Sequence, residues 1–109
     1  MPDLVVIGGG PAGLFCAIRA KERSSLMSIL ILEKTDQCGR KLLVSGGGQC
    51  NLTRDEESRD LVKGYGDNGR FLGTALSALS PADTREWFTA HGLPLVRLWF
   101  WRIGSAPGP

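Results

Sequence analysis

The chain has 109 residues, of which 42% are hydrophobic and 22% charged, as expected for one small globular domain rather than a disordered chain. Its 13 basic and 11 acidic residues leave a net charge of +2, which argues against nucleic acid or an anionic membrane as a main partner. Three cysteines without a Cys-x-x-Cys pair and a single histidine argue against a disulfide framework and a metal site, and favour a reducing, cytoplasmic location.

The first 33 residues have the pattern of a strand, a turn, a helix and a second strand. Residues 4–7 are a short apolar run rich in β-branched side chains, which predicts a strand buried on both faces, as in a parallel sheet. Glycines end this run, Pro11 suits a first helical turn, and apolar residues recur at helical spacing from residue 12 to about 23, which places Cys16 in the core. Residues 28–32 form a second apolar run. The sequence therefore predicts an α/β fold that begins with a βαβ unit.

Residues 34–69 differ in composition from this first part. Glycine and polar residues dominate, and helical periodicity is weak. A loop of this length is unusual inside a compact domain, so we expect a segment that wraps a ligand, or an incomplete fold. No run of about 18 to 20 apolar residues occurs in the chain, so we expect no membrane span.

Helical signals return after residue 70. Residues 71–79 are one candidate helix, and Ser80, Pro81 and Asp83 together predict the start of another, with Ser80 as its N-cap. Gly92 is the expected left-handed residue at its end. The strongly apolar residues 98–101 suggest a strand, and residues 104–109 are expected to form no regular element.

A glycine motif, Gly8-x-Gly10-x-x-Gly13, lies directly after the first predicted strand and opens the first predicted helix. In this context it fits a dinucleotide-binding turn, in which Gly8 permits the tight turn, Gly10 admits a pyrophosphate and Gly13 allows close packing. The free N–H groups at the helix start then face the phosphates. The alternatives are a glycine-rich turn in an unrelated α/β protein and a P-loop, and the P-loop is excluded because Leu14 follows where a lysine is required.

Glu33 stands at the end of the second strand, about 20 residues past the last glycine of the motif, where an acid accepts hydrogen bonds from the adenosine ribose. A carboxylate would repel a 2′-phosphate, so NADP is disfavoured at this site. Spacing alone leaves both FAD and NAD open.

Longer stretches of the sequence are more specific than the glycines, and they carry a resemblance to a known family. These stretches are Val6-Ile7-Gly8-Gly9-Gly10-Pro11-Ala12-Gly13-Leu14, Leu32-Glu33-Lys34, Gly39-Arg40-Lys41-Leu42-Leu43 and Ser45-Gly46-Gly47-Gly48-Gln49-Cys50-Asn51-Leu52-Thr53. Together they resemble the BaiN-like flavoproteins, bacterial NAD(P)/FAD-dependent oxidoreductases also labelled aminoacetone-oxidase-family FAD-binding enzymes. The resemblance is dense over residues 4–53 and continues weakly to about Leu95.

The resemblance implies a Rossmann-type FAD-binding domain with FAD as cofactor, and NAD(P)H as electron donor in full-length members. It implies these cofactor-binding residues: Gly8, Gly10, Pro11, Ala12 and Gly13 at the diphosphate, Glu33 at the ribose, Lys34 beside the adenosine, Arg40 and Lys41 as a basic pair near the cofactor, and Gly47 in a loop against the flavin. From the residues alone, an exposed basic turn is the alternative for the basic pair, and a flexible turn is the alternative for the glycine loop. No catalytic residue is identified.

The sequence departs from the family in two places. Gln49 stands where the family usually has arginine, which removes a cation near the cofactor. Family members run several times longer, so residues 1–95 are expected to be the N-terminal part of an incomplete FAD/NAD(P)-binding domain. The tail at residues 96–109 does not resemble the family. Because a one-nucleotide shift turns the tryptophan codons into glycine codons, we hypothesise that the tail is out of frame.

Two functional hypotheses follow. In the first, the chain is the FAD-binding start of an oxidoreductase whose substrate is unknown and which is inactive without the rest of the enzyme. In the second, it is a truncated, non-catalytic fragment that binds a nucleotide, with NAD as the alternative ligand.

Overall fold

A computed structural model describes residues 1–44, 50–97 and 102–106 of the chain. The chain divides into two compact units, residues 1–45 (unit 1) and residues 46–109 (unit 2). Within the described ranges, none of the helices combines the length and the apolar character that crossing a bilayer would require.

Unit 1 contains the predicted βαβ element. Strand β1 (Leu4–Ile7) leads through the glycine turn into helix α1 (Pro11–Arg23), and the chain returns as strand β2 (Ile29–Leu32) before the short helix α2 (Arg40–Val44). The two strands are parallel and pair in register, with Leu4 opposite Ile29 and Ile7 opposite Leu32. The α/β prediction is therefore confirmed, with β1 at the predicted residues and β2 beginning one residue later than expected.

The expectation that these strands are buried on both faces is wrong for this chain. Helix α1 packs against both strands. Every second side chain of the two strands is exposed to solvent. The exposed fractions are 45% for Val5, 78% for Ile7, 43% for Leu30 and 48% for Leu32. The expected core position of Cys16 is also wrong, because this residue is exposed and its neighbour Ala17 is the buried one.

Unit 2 is a set of short elements around an antiparallel sheet. In chain order they are β3 (Asn51–Arg54), α3 (Ser58–Lys63), a 3-10 helix (Gly66–Leu72), α4 (Gly73–Ala78), α5 (Pro81–Ala90), β4 (Leu95–Arg97) and β5 (Arg102–Ser105). The strand order is β3-β5-β4, and Ile103 of the central strand is buried. The expected long loop at residues 34–69 is therefore wrong, because this segment contains α2, β3 and α3, each too short for its periodicity to be recognised.

The limits of α5 agree with the sequence prediction. Ser80 accepts a hydrogen bond from the Asp83 N–H over 3.1 Å and donates its own N–H to Asp83 over 3.0 Å, which is a complete capping box. Pro81 occupies the first turn and is fully buried. Gly92 follows the helix with φ +86°, the left-handed conformation predicted for it.

The expectation that residues 104–109 form no regular element is wrong in its first part. Gly104 lies in β5 and pairs with Asn51 on one side and Val96 on the other. A residue of low strand propensity is held in a strand here because both neighbouring strands bond to it, so tertiary pairing overrides local preference. Residues 98–101 and 107–109, which belong to the same tail, lie outside the described residues.

Candidate functional site

The glycine turn after β1 has a backbone that requires two of its glycines. Gly8 has φ +98°, a conformation that side chains other than glycine rarely adopt, and its N–H donates to the Leu32 carbonyl over 2.8 Å. A Cβ on Gly13 would overlap the Gly8 carbonyl oxygen and lie 3.2 Å from Val6 Cγ1. The turn therefore folds tightly onto the end of β1, and α1 starts directly against the strand.

The start of α1 presents backbone donors without a side-chain cap. Gly10 precedes the helix with φ −80° and ψ −172°, and the Leu14 N–H donates to the Gly10 carbonyl over 2.9 Å. Within the described part of the chain, no side chain caps this helix, and its first turn carries no acidic residue. Because the first turn of a helix leaves N–H groups without intrahelical acceptors, this end offers donors and partial positive charge to an anion.

The Glu33 carboxylate is bound by three donors. Gly9 donates its N–H to Glu33 Oε1 over 3.0 Å, while the N–H and the hydroxyl of Thr35 reach Oε2 over 2.8 and 2.7 Å. The Thr35 hydroxyl, the Thr35 N–H and the Gly9 N–H lower the pKa of Glu33 from 4.5 to about 2. The carboxylate is therefore ionised throughout the neutral and mildly acidic range, as an acceptor for ribose hydroxyls must be.

This binding limits what Glu33 can still accept. An ionised carboxylate has about four acceptor positions. Three of them are occupied by Gly9 and Thr35, so one position on Oε1 is open in this conformation. The sequence analysis expected Glu33 to contact only the ribose. In the structure, Glu33 also binds the glycine turn through the Gly9 N–H.

A second contact between the turn and the chain after β2 was not foreseen. The Gly39 N–H donates to the Gly9 carbonyl over 2.7 Å, and Gly39 adopts φ +75°. Cys38 packs against Gly9 so closely that a Cβ on Gly9 would overlap the Cys38 sulfur and lie 3.1 Å from its Cβ. Gly39 belongs to a stretch that carries the family resemblance, but nothing in the sequence paired it with Gly9.

These elements enclose a cleft of about 510 Å³ in unit 1. Nine of the ten predicted site residues line it: Gly8, Gly10, Pro11, Ala12, Gly13, Glu33, Lys34, Arg40 and Lys41. The tenth, Gly47, lies outside the described residues, as do the rest of its loop and Gln49. Gly9, Thr35, Gln37 and Gly39 also line the cleft, although the sequence analysis did not include them in the site.

The two basic residues of α2 lie at the rim of this cleft. The Arg40 guanidinium is 3.4 Å from the Asp36 carboxylate, and both side chains are largely exposed. Such a pair is weak and is easily exchanged for a stronger anion. Arg40 and Lys41 begin α2 and line the same cleft as the start of α1. Their expected place beside the cofactor stays a prediction.

Unit 2 contains a separate cleft of about 440 Å³, whose lining is acidic. Its acids are paired with neighbouring arginines: Asp55 with Arg85 over 3.2 Å and with Arg97, Glu56 with Arg54 over 3.1 Å, and Glu57 with Arg59 over 2.9 Å. Among the described residues, no three His, Cys, Asp or Glu side chains are grouped as a metal site.

A parallel βαβ unit, with a tight glycine turn at the helix start and an acid at the end of the second strand, defines the Rossmann class of α/β domains. The chain belongs to the HI0933-like protein Rossmann domain family, whose model matches residues 2–99. The resemblance to BaiN-like flavoproteins inferred from the sequence is thereby confirmed.

Three curated relatives show the same coverage. The chain is 34% identical over 93 residues to the 3-dehydro-bile acid delta(4,6)-reductase of Clostridium scindens, which covers 85% of the chain and 22% of the relative. It is 32% identical over 91 residues to the ribosomal RNA dihydrouridine synthase of Escherichia coli, covering 84% of the chain and 22% of the relative. The protein of the same name from Haemophilus influenzae is 42% identical over 89 residues, covering 82% and 21%. The chain thus spans about a fifth of the length of the curated relatives it matches.

Proposed function

We propose that unit 1 binds the ADP half of FAD and forms the cofactor-binding start of a flavoprotein oxidoreductase. The observation that carries this proposal is the single cleft that contains the glycine turn, the start of α1 and the Glu33 carboxylate. The diphosphate lies at the start of α1, where each favourable contact of an anion with the helix end contributes about 0.3 to 1 kcal/mol. Glu33 accepts a hydroxyl of the adenosine ribose.

The space around Gly10 fits a diphosphate. Among the described residues other than its chain neighbours, no atom lies within 4 Å of the position that a Cβ on Gly10 would take, and Gly10 lines the cleft. A side chain there would fill the space that a pyrophosphate needs in order to approach the backbone. The residues present therefore suit a dinucleotide, with Pro11, Ala12 and Gly13 forming the first turn beneath it.

The charged residues around the cleft have distinct parts in this proposal. Lys34 flanks the adenosine beside the ribose carboxylate. Arg40 exchanges its exposed partner Asp36 for the cofactor diphosphate, which a guanidinium can bind with two parallel hydrogen bonds. Lys41 adds a second positive charge, and Gly47 approaches the flavin side. The flavin, when bound, supplies the electron chemistry, while these residues hold and orient it.

FAD is preferred over NAD because the family and the relatives support a flavoprotein. The named activities of the relatives, a reductase and a dihydrouridine synthase, are both reductions. We therefore propose that the enzyme to which this chain contributes is a flavin-dependent reductase, with NAD(P)H as donor and a substrate that this chain does not define. Residues 1–95 are its cofactor-binding part and are not catalytic alone. Residues 96–109 are the proposed out-of-frame tail, and resequencing of the gene tests this, since an in-frame stop without family-like sequence downstream contradicts it.

The test of cofactor binding uses Gly10→Ala, with Gly73→Ala as its matched control. Neither added Cβ meets an atom within 4 Å, so both variants are expected to keep the thermal stability of the parent chain. Equilibrium dialysis with FAD, ADP, NAD and NADP measures binding. We expect Gly10→Ala to weaken FAD and ADP binding at least about 10-fold, equivalent to about 1.4 kcal/mol, while Gly73→Ala leaves both unchanged.

The same measurement separates the alternatives. ADP and FAD competing for one site, with NADP binding more weakly, supports the proposal. NAD binding without competition by FAD supports the NAD-binding alternative. Equal FAD affinity in the parent chain and in Gly10→Ala contradicts the assignment of the glycine turn to the cofactor.

A further inference from the structure

Thr35 is the largest single influence on the Glu33 carboxylate, although it was not among the residues that the sequence pointed to. Its hydroxyl lies 2.7 Å and its N–H 2.8 Å from Glu33 Oε2. The same hydroxyl lies 3.0 Å from the Gln37 carbonyl oxygen. A threonine hydroxyl has one proton, so it can donate fully to only one of these two acceptors at a time.

We propose that Thr35 is a positioning residue for the adenosine ribose: its hydroxyl holds the Glu33 carboxylate in place before a nucleotide binds, and it turns to the Gln37 carbonyl when a ribose hydroxyl binds Glu33 Oε2. This inference rests on the proposed ADP-binding function. Since Gln37 offers an acceptor at 3.0 Å, the hydroxyl changes partner without losing its hydrogen bond. The Thr35 N–H continues to hold Oε2 throughout.

This exchange resolves the shortage of acceptor positions at Glu33. While Gly9 and both donors of Thr35 bind the carboxylate, one acceptor position remains, which suits one ribose hydroxyl. When the Thr35 hydroxyl leaves, Oε2 gains a second open position, and the 2′- and 3′-hydroxyls can both be accepted. The Gly9 N–H stays on Oε1, so the glycine turn remains joined to Glu33 in both arrangements.

Charged neighbours of Glu33 do not account for this arrangement. Lys34 acts on the carboxylate as the weakest of the favourable influences, and Arg40 and Lys41 line the same cleft. The Cys38 side chain lies on the same side of Gly9 as the Glu33 Cβ, since both approach the position that a Cβ on Gly9 would take. Strand β1 and the first turn of α1 carry no ionisable side chain. The hydrogen bonds from Thr35 therefore make the largest contribution to the lowered pKa of Glu33.

The test compares Thr35→Val, which removes only the hydroxyl, with Thr35→Ser, which retains it. Thr74→Val, at an exposed position of α4 in unit 2, is the matched control for loss of a threonine hydroxyl. The first readout is the pKa of Glu33, which is measured in the full chain from the carbon NMR signal of its carboxyl group as the pH is varied. Thr35→Val should raise it from about 2 toward 4.5, while Thr35→Ser and Thr74→Val leave it unchanged.

The second readout is ADP affinity against pH. Thr35→Val leaves the carboxylate held only by the N–H groups of Thr35 and Gly9. Because more of the carboxylate's motion must then be lost on binding, Thr35→Val should bind ADP about 3- to 10-fold more weakly at pH 7. As the pH is lowered, the ADP affinity of Thr35→Val should begin to fall at a higher pH than that of the parent chain. Thr35→Ser should bind ADP within about 2-fold of the parent chain, since it keeps both donors.

The outcomes distinguish this inference from the proposed function. Glu33→Gln tests the function: unchanged ADP affinity in this variant contradicts the role of Glu33 at the ribose. Reduced affinity in Glu33→Gln, together with an unaltered Glu33 pKa and ADP affinity in Thr35→Val, overturns the role of Thr35 and leaves the proposed function standing. If Thr35→Ser shows the same change in Glu33 pKa and ADP affinity as Thr35→Val, the role of the Thr35 hydroxyl is also overturned.

Discussion

The backbone N–H of Gly9 donates a hydrogen bond to Glu33 Oε1 over 3.0 Å, which joins the glycine turn after β1 to the end of β2. The Gly9 carbonyl accepts from the Gly39 N–H over 2.7 Å, so both polar groups of this peptide segment are held by the chain that follows β2. The peptide groups of Gly9 are therefore held by hydrogen bonds. Gly10, the next residue in the turn, lines the cleft and has space around it for an added methyl group. The following predictions depend on this difference between adjacent glycines.

Gly13→Ala should destabilise the chain, whereas Gly10→Ala should not. The added methyl at residue 13 overlaps the backbone oxygen of Gly8 and cannot be relieved by a side-chain rotation, so we expect a loss of about 1 to 3 kcal/mol. Urea denaturation of the two variants and the parent chain measures this. Equal stability of the two variants would contradict the close approach of α1 to the turn.

Gly9→Ala should also be destabilising, and Cys38→Ala should recover part of the loss. The added methyl overlaps the sulfur of Cys38, which the second substitution removes, while the Cys38 Cβ at 3.1 Å remains. We expect a coupling energy of at least about 0.5 kcal/mol in a double-mutant cycle measured by urea denaturation. Cys16→Ala, an exposed cysteine on α1, is the control that should show no coupling.

Acid should destabilise the chain through Glu33. Its pKa is lowered from 4.5 to about 2 by the bonds from Thr35 and Gly9, so its contribution to the free energy of unfolding is complete above pH 4.5 and is lost as the pH falls toward 2. Glu33→Gln should be less stable than the parent chain at pH 6, and the difference should shrink below pH 4.5. Urea denaturation at a series of pH values from 6 to 2 measures this difference.

Asp83 is a second acid that should contribute to the same pH dependence, because the N–H and the hydroxyl of Ser80 also lower its pKa. Asp83→Asn should therefore remove a further part of the acid sensitivity. A stability difference between Glu33→Gln and the parent chain that stays constant from pH 6 to pH 2 would show that the hydrogen bonds to Glu33 do not depend on its charge.

Ser80→Ala should lower the stability of the chain without changing its affinity for ADP. The substitution removes the acceptor of the Asp83 N–H in the capping box of α5, which costs about 1 kcal/mol. Ser77→Ala, an exposed serine within α4, is the control that should have little effect. Thermal denaturation and ADP dialysis are measured together. Weaker ADP binding in Ser80→Ala would show that unit 2 takes part in the site.

The sequence allowed prediction of the elements whose signals are local. The glycine motif, the apolar runs and the capping residues of α5 each act within a few positions of the chain, and the structure has them at the predicted residues. The place of Glu33 at the end of β2 follows from the βαβ pattern, whereas Lys34, Arg40 and Lys41 came from the family resemblance. All of these residues line the cleft, and their binding of a cofactor stays a prediction, as does the role of Gly47.

The parts that were missed depend on contacts between distant residues. Strand β5 is held by pairing on both sides, which the composition of residues 102–106 does not reveal. Thr35 and Gly39 matter through hydrogen bonds to Glu33 and Gly9, and such bonds become visible only when β1 and β2 are brought side by side. Short helices and strands at residues 40–63 leave too few turns for a period to be read.

Parallel pairing of β1 with β2 has a thermodynamic consequence for the cofactor. Gly9 and Glu33 are 24 residues apart and meet only when the crossover through α1 is complete, so the unfolded chain contains no binding site. A ligand that binds only the folded form adds about 2.7 kcal/mol of stability at a free concentration 100 times its dissociation constant. The midpoint of unfolding of unit 1 should therefore rise with ligand concentration, and the nucleotide acts as a folding partner as well as a cofactor.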